Sequence, residues 1–170
     1  MSENQKKIWI TGASSGIGKA LANKFALEGW KVAISARREG ILNEMANHEN
    51  IFSYPLDVTN QNKIIDVFSK IINDFGSLDL CVFSSGTYDP KLEQEINIKQ
   101  NKFVMETNFF GVLYCIKSVE KYFKEKKDGH ISIVSSIAAY RGLPNSSGYG
   151  PSKAALTNFT ETLYFDFQTH

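Results

Sequence analysis

The sequence predicts an α/β protein built on a doubly wound parallel sheet of the Rossmann type. Two patterns support this prediction: short apolar runs alternate with longer segments of helical spacing, and a glycine-rich turn joins the first run to the first helix. Strands that alternate with helices form parallel sheets, because crossovers of this length are right-handed and cover both faces. We expect one domain over residues 1–170, with strand order 3-2-1-4-5.

Five apolar runs are predicted to be strands, since they are short, continuous in apolar character and followed by turn residues. They cover residues 7–11, 31–36, 51–58, 79–83 and 129–134. Five segments with apolar residues at helical spacing alternate with these runs. They cover residues 17–29, 38–47, 60–75, 98–126 and 149–168.

The composition argues against several classes of protein. With 42% hydrophobic residues, 22% charged residues and a net charge of +1, nothing favours nucleic acid or an anionic membrane as a partner. No apolar run approaches the roughly 20 residues that span a bilayer, and the N-terminal residues are too polar for a signal peptide. Cys81 and Cys115 lie in apolar runs and are expected to be buried thiols, while three scattered histidines suggest no metal site. We expect a soluble, cytoplasmic protein.

The glycine-rich turn over residues 12–18 has the features of a phosphate-binding loop. It follows the first strand and opens the first helix, which is the context that such a loop requires. Glycine lets the backbone approach a pyrophosphate, and the helix N-terminus offers unpaired N–H groups and a positive dipole end. Three glycines at this spacing, between a strand and a helix, therefore predict a dinucleotide site.

The residues after the second strand favour NADP over NAD. A carboxylate at this strand end binds the 2′-hydroxyl of NAD, whereas an arginine accommodates the 2′-phosphate of NADP. The sequence has Arg37 and Arg38 here and no carboxylate at the strand tip. Guanidinium groups bind phosphate through paired, charge-assisted hydrogen bonds. Glu39 keeps NAD as the less favoured alternative. A further alternative is that the two arginines lie on the surface and merely begin the short helix over residues 38–47.

Small and polar residues follow the third and fourth strands. Asp57 is placed to bond an adenine amino group, although Asp57 or Thr59 equally suits the cap of the next helix. The turn Ser84-Ser85-Gly86 follows the fourth strand, where its backbone is expected to lie close to a cofactor. Asn108 falls in an apolar stretch, so its buried amide must find partners.

Tyr149 and Lys153 lie four residues apart and share one face of the last predicted helix. An ammonium group beside a phenol favours the phenolate and lowers the phenol pKa from about 10, which makes Tyr149 a usable general acid or base. Ser136 follows the fifth strand and is placed to bring a hydroxyl to the same spot. Such a pair is common by chance, so the other motifs decide its meaning.

Taken together, these residues resemble the short-chain dehydrogenase/reductase family over essentially the whole chain. The motifs that carry the resemblance, in this order and spacing, are Thr11-Gly-Ala-Ser-Ser-Gly-Ile-Gly18, Asp57-Val58, Asn108, Ser136 and Tyr149-x-x-x-Lys153. The resemblance implies hydride transfer between NADP(H) and a small carbonyl or alcohol substrate. It also implies a homo-oligomer that pairs through the helices near 98–126 and 149–168.

The resemblance further implies a role for each site residue. Tyr149 passes a proton to or from the substrate oxygen, which Ser136 hydrogen-bonds, with Ser135 the less favoured serine. Lys153 lowers the tyrosine pKa and binds the nicotinamide ribose, and Asn108 holds a water of the proton relay. The residues implied around the cofactor are Gly12, Ser14, Ser15, Gly16, Ile17, Gly18, Arg37, Arg38, Asp57, Val58, Ser84, Ser85, Gly86, Tyr149 and Lys153.

Two features depart from the family pattern. Phe83-Ser84-Ser85 stands where the family has Asn-Asn-Ala, so the amides that brace the sheet centre are absent and serine hydroxyls are their only substitutes. The chain also ends at His170, before the sixth and seventh strands and the substrate lid of longer members. We therefore expect a fragment of a longer enzyme, with the fifth strand left as an apolar edge that invites pairing.

Two other functions stay open. A catalytically weak or inactive NADP(H)-binding module would suit the early end of the chain and the change at Phe83 and Ser84, whereas the set of Tyr149, Lys153 and Ser136 argues against it. A sugar-nucleotide epimerase shares the Tyr-x-x-x-Lys pair, but its glycine loop is usually spaced differently and its chain is longer.

Overall fold

The computed structural model describes residues 5–168, in which five parallel strands form one sheet in the order β3-β2-β1-β4-β5. The strands are β1 (Lys7–Thr11), β2 (Lys31–Ser35), β3 (Ile51–Ser53), β4 (Leu80–Phe83) and β5 (His130–Ile133). Thr11 pairs in register with Ser35 on one side and Phe83 on the other, so the central strands end at one level. The predicted fold class and strand order are confirmed.

Within the described residues, six α-helices connect and follow the strands. They are α1 (Gly16–Leu27), α2 (Glu39–Met45), α3 (Gln61–Phe75), α4 (Ile98–Met105), α5 (Gly111–Lys126) and α6 (Tyr149–Gln168). A π-helical turn over Glu106–Phe110 joins α4 to α5. The helix predicted over 98–126 is therefore helical throughout, with a π-helical turn between its two α-helical parts. A single 3₁₀ turn, Ile137–Ala139, lies between β5 and α6. None of the helices in residues 5–168 is long and apolar enough to cross a membrane.

The helices cover both faces of the sheet, because successive side chains of a strand point to opposite faces. Trp9 of β1 packs into a core formed with α3, α5 and α6, while its neighbours Ile8 and Ile10 pack into a second core with α1 and α2. Cys81 and Cys115 are free thiols buried in the first core, as predicted. This two-sided burial leaves the strand ends as the place where polar groups can gather.

The third strand is shorter than the predicted run over residues 51–58. Regular pairing ends at Ser53, although the N–H groups of Tyr54 and Leu56 still donate to the carbonyl oxygens of Ile34 and Ala36. Pro55 lies between these two donors and has no N–H of its own. The chain therefore stays beside β2 after the strand ends, which carries the following residues to the same sheet edge as the other strand tips.

Strand β5 is the edge strand expected from the sequence. An apolar groove with a volume of about 500 Å³ runs between β5, the end of α5 and the second half of α6, with Ile131, Ile133 and Leu163 in its lining. Leu156, in the first half of the same helix, is instead completely buried in the core. The α6 side chains in the groove all come from its second half.

The start of α5 packs tightly against the segment after β3. A Cβ atom added at Gly111 would lie 2.7 Å from Cγ2 of Val58 and 3.2 Å from its carbonyl oxygen. Glycine at position 111 therefore lets α5 approach Val58 more closely than any residue with a side chain would allow.

We expect Gly111→Ala to lower the free energy of unfolding by about 1–2 kcal/mol, because overpacking outweighs the gain in helix propensity. Gly40→Ala is the matched control, since Gly40 is also helical and an added Cβ meets nothing within 4 Å. Urea unfolding measures both variants, and Val58→Ala in the Gly111→Ala background should recover part of the loss. Equal stability of the Gly111→Ala and Gly40→Ala proteins would contradict the packing argument.

Candidate active site

A cleft with a volume of about 500 Å³ lies at the sheet edge where the strands end. Every residue predicted to contact a cofactor lines it: Gly12, Ser14, Ser15, Gly16, Ile17, Gly18, Arg37, Arg38, Asp57, Val58, Ser84, Ser85, Gly86, Tyr149 and Lys153. Of the four predicted catalytic residues, Tyr149 and Lys153 line the cleft, whereas Asn108 and Ser136 are not in its lining. The cleft runs from the glycine loop to the first turn of α6.

The glycine loop is pressed against the end of β4. Gly12 has φ +70°, and a Cβ atom there would lie 2.7 Å from the carbonyl oxygen of Ser84. A Cβ atom on Gly18 would lie 2.6 Å from the carbonyl oxygen of Gly12. Because these obstacles are backbone atoms, a side chain at Gly12 would push the loop away from the residues after β4, and one at Gly18 would push the start of α1 away from Gly12. The N-terminus of α1, which begins at Gly16, consequently opens into the cleft.

Ser84 adds a side-chain hydrogen bond between the ends of β1 and β4. Its hydroxyl donates to the carbonyl oxygen of Thr11 at 2.6 Å. Phe83 points into the core and packs edge-on against Trp9, with ring centroids 5.7 Å apart. A serine hydroxyl therefore bridges β1 and β4 at this level, and the phenylalanine adds packing instead of a polar contact.

Two exposed arginines form the cationic end of the cleft. Arg38 donates from Nε to Ser14 Oγ at 3.0 Å and from Nη2 to Ser15 Oγ at 2.6 Å. Arg37 lines the cleft beside it and forms no salt bridge with any other residue of the 5–168 segment. Arg38 thus faces the glycine loop, and within residues 5–168 neither guanidinium group forms a salt bridge with a carboxylate.

Asp57 lies in the cleft but is engaged in a local turn. Its Oδ1 accepts hydrogen bonds from the N–H and the hydroxyl of Thr59. Asn60 provides the side-chain cap of α3 by accepting from Lys63 N at 3.1 Å, so the alternative of a helix cap at Asp57 or Thr59 is wrong. Asp57 keeps a second carboxylate oxygen for a ligand.

Tyr149 and Lys153 lie on the first turns of α6, as the spacing predicts. Lys153 is only 4% exposed, and its ammonium donates to the carbonyl oxygen of Val134 at 2.9 Å. The Nζ atom lies 5.9 Å from the centroid of the Tyr149 ring. Burial lowers the pKa of Lys153 to about 8, because desolvation disfavours the charged form. The lysine nevertheless remains mostly protonated at pH 7.

Asn108 lies within the π-helical turn and is completely buried. Its Oδ1 accepts from Thr87 N at 2.7 Å, and its Nδ2 donates to Thr87 O at 2.9 Å and Ser152 Oγ at 3.2 Å. Both amide hydrogens therefore have acceptors in the protein. A Cβ atom on the adjacent Gly86 would lie 3.5 Å from Asn108 Oδ1 and 3.7 Å from Lys153 Nζ, so these polar atoms meet around a single glycine.

The two serines after β5 differ in their surroundings. Ser135 lines the cleft, but its hydroxyl is hydrogen-bonded to Thr157 Oγ1 at 2.6 Å. Ser136 Oγ accepts from Ala138 N at 3.2 Å at the start of the 3₁₀ turn. A hydroxyl that accepts a hydrogen bond still has its proton to donate, so Ser136 retains a donor for a ligand oxygen.

The structure adds two residues that the sequence reading missed, both in the loop between β4 and α4. The ring of Tyr88 lies 4.5 Å from the ring of Tyr149, and its hydroxyl donates to Asn145 O at 3.1 Å. The carboxylate of Glu93 accepts hydrogen bonds from the backbone N–H groups of Gly148 and Tyr149. No periodicity marks this loop, and contacts across more than 50 residues leave no local sequence signal.

Comparisons with known proteins agree with this architecture. A family model for short chain dehydrogenases matches residues 6–170. An uncharacterised oxidoreductase of Staphylococcus epidermidis is 30% identical over 161 residues, which are 94% of this chain and 70% of that protein. The 11-beta-hydroxysteroid dehydrogenase 1A of Arabidopsis thaliana is 35% identical over 165 residues, which are 93% of this chain and 47% of that protein. The chain thus spans about half of the plant enzyme's length.

Solved structures give the same result. ElxO with NADP bound is similar with a TM-score of 0.90 and 29% identity, covering 97% of this chain and 69% of that chain. A Tyr-to-Phe variant of ElxO with NADPH bound gives a TM-score of 0.91 at 29% identity and the same coverage. Because the family model spans nearly all of the sequence and the fold agrees, this chain belongs to the short-chain dehydrogenase/reductase family.

Proposed function

We propose that the protein is an NADP(H)-dependent oxidoreductase that interconverts a carbonyl group and an alcohol, with Tyr149 as the proton-transferring residue. The observation that carries the proposal is the arrangement of one cleft, which has a glycine cradle and two arginines at one end and Tyr149 with a buried lysine at the other. A dinucleotide is an elongated molecule with an anionic and a reactive end, and this cleft offers chemistry suited to each.

The residues of the cleft fit the cofactor. The missing side chains of Gly12 and Gly18 leave room for a backbone that approaches a pyrophosphate, and the α1 N-terminus favours negative charge there. Arg37 and Arg38 would hold the 2′-phosphate, and no carboxylate lies among the residues 36–38 that follow β2 at the cleft. The NADP and NADPH bound in the similar ElxO structures support this choice of nucleotide.

The chemistry divides between the cofactor and the protein. A bound nicotinamide supplies or accepts the hydride, and the protein supplies the proton. In reduction, the Tyr149 phenol donates its proton to the carbonyl oxygen, and the Ser136 hydroxyl donates a hydrogen bond to the same oxygen. The buried ammonium of Lys153 would stabilise negative charge on the phenol oxygen and would hold the nicotinamide ribose of a bound cofactor. The short-chain dehydrogenase relatives support these roles.

Asn108 acts in this proposal through its neighbours. Its three hydrogen bonds tie the backbone of Thr87, after β4, to Ser152 on α6. Because Ser152 precedes Lys153, the side-chain amide of Asn108 holds the turn that contains Lys153 at a fixed distance from Thr87. The water-holding role implied by the sequence resemblance stays a prediction, and the side-chain hydrogens of Asn108 are used elsewhere.

We also propose a homo-oligomer that pairs through the helices near 98–126 and 149–168. Exposed aromatic side chains on these helices support it, at Phe103, Phe110 and Phe165. Light scattering of the purified chain should then give at least twice the 19.1 kDa monomer mass. A monomer at micromolar concentration would contradict this part of the proposal.

We expect Tyr149→Phe to lower carbonyl-dependent NADPH oxidation at least 100-fold, because general acid catalysis contributes about 10²–10⁴ in rate. NADPH affinity should stay within about twofold, since the phenol proton is not needed for binding. Absorbance assays with a panel of ketones and aldehydes measure the rate, and fluorescence titration measures affinity. Tyr140→Phe is the control, because Tyr140 is 82% exposed on the segment between β5 and α6. A Tyr149→Phe protein with wild-type rate would place the proton source elsewhere.

Replacing both arginines, as Arg37→Gln with Arg38→Gln, should weaken NADPH binding at least tenfold and leave NADH binding nearly unchanged. The reason is that the guanidinium groups would bind the 2′-phosphate, which NADPH has and NADH lacks. Arg141→Gln, at an exposed site outside the cleft lining, controls for loss of positive charge. Equal weakening for both cofactors would mean that the arginines support the glycine loop instead of selecting NADP.

A further inference from the structure

We propose that Glu93 is a positioning residue for Tyr149: its buried carboxylate fixes the first turn of α6 by accepting the backbone hydrogen bonds of Gly148 and Tyr149. The inference deepens the proposed function and rests on it, because it matters for catalysis only if Tyr149 transfers the proton. It concerns a residue that lies outside the cleft lining and outside every motif of the sequence.

The contacts are direct. Glu93 Oε2 accepts from Gly148 N at 2.8 Å and from Tyr149 N at 2.9 Å, and the residue is only 2% exposed. The first N–H groups of a helix have no partner within the helix. A carboxylate satisfies them and also interacts favourably with the positive end of the helix dipole. Glu93 thereby anchors the backbone of the proposed proton donor itself.

The residues around the start of α6 explain why this anchor comes from a distant loop. The first turn of α6 contains no acidic residue. Asn145, four residues before α6, has φ +53°, a left-handed conformation that asparagine adopts more readily than most residues. Local hydrogen bonds are present, since Ser146 Oγ donates to Pro144 O and Gly150 N donates to Ser146 O. The contacts of Glu93 add a long-range anchor to this locally bonded segment.

The same loop also contacts the side chain of Tyr149. Tyr88 lies with its ring 4.5 Å from the Tyr149 ring, and its hydroxyl donates to Asn145 O. On the other side, Ser147 Oγ donates to Asn101 Oδ1 of α4 at 3.1 Å. The loop between β4 and α4 thus holds the backbone of Tyr149 through Glu93 and its ring through Tyr88.

The catalytic test compares Glu93→Ala with Glu93→Gln and with Glu95→Ala, an exposed acidic residue two positions further on. We expect Glu93→Ala to lower kcat about 10- to 100-fold, because small displacements of a reacting group cost this much, with NADPH affinity within twofold. Glu93→Gln should recover kcat to within about threefold, since its amide oxygen can accept the same two hydrogen bonds. Glu95→Ala should match the wild-type protein.

These rates are measured at a temperature where circular dichroism shows each variant folded, so that lost stability does not lower kcat. If Glu93→Ala does not fold, Glu93→Met takes its place, because it fills a similar volume without an acceptor. A folded variant without the acceptor whose kcat stays within threefold of wild type would overturn the proposal.

Amide hydrogen exchange gives a readout that needs no substrate. The N–H groups of Gly148 and Tyr149 should exchange at least tenfold faster in Glu93→Ala and keep their protection in Glu93→Gln. Unchanged protection in Glu93→Ala would overturn the proposed contact. An active Tyr149→Phe protein would instead refute the proposed function, while the exchange data would still report whether Glu93 anchors the helix.

Discussion

The close approach of the glycine loop to the end of β4 is the contact on which the rest of the site depends. It requires the absence of side chains at Gly12 and Gly18, and it is fastened by the hydrogen bond from Ser84 to Thr11. With this contact in place, the N-terminus of α1 and the ends of the strands face one cleft. A side chain at Gly12 would clash with the backbone of Ser84 and Ser85, and one at Gly18 would clash with the carbonyl oxygen of Gly12.

The end of the cleft at Tyr149 depends on longer-range contacts. Asn108 joins the turn after β4 to α6, Lys153 bonds the carbonyl oxygen after β5, and Glu93 holds the first amides of α6. These three polar groups are buried, so each is costly unless it is paired. Their shared effect is to fix α6 relative to the strand ends, which brings Tyr149 to the mouth of a cleft formed mainly by other elements.

The sequence predicts the parts of this protein that local patterns encode. The glycine loop and the Tyr149–Lys153 face follow from spacing and turn chemistry, and the strand order follows from the fold class that the alternation of strands and helices predicts. The structure brings the loop and this face to one cleft. The π-helical turn at Asn108 could not be predicted, because residue preferences do not separate it from a regular helix. Glu93 was missed because its partners lie 55 and 56 residues away, in a loop without periodicity.

The central claim is that this cleft transfers a hydride and does not only bind a nucleotide. NADPH dideuterated at nicotinamide C4, incubated with the protein and a panel of ketones and aldehydes, tests it most directly by mass spectrometry of the products. The account predicts one deuterium on the carbinol carbon of at least one alcohol product, with label transfer dependent on the protein. Tight NADPH binding without label transfer to any of the carbonyl compounds would contradict it.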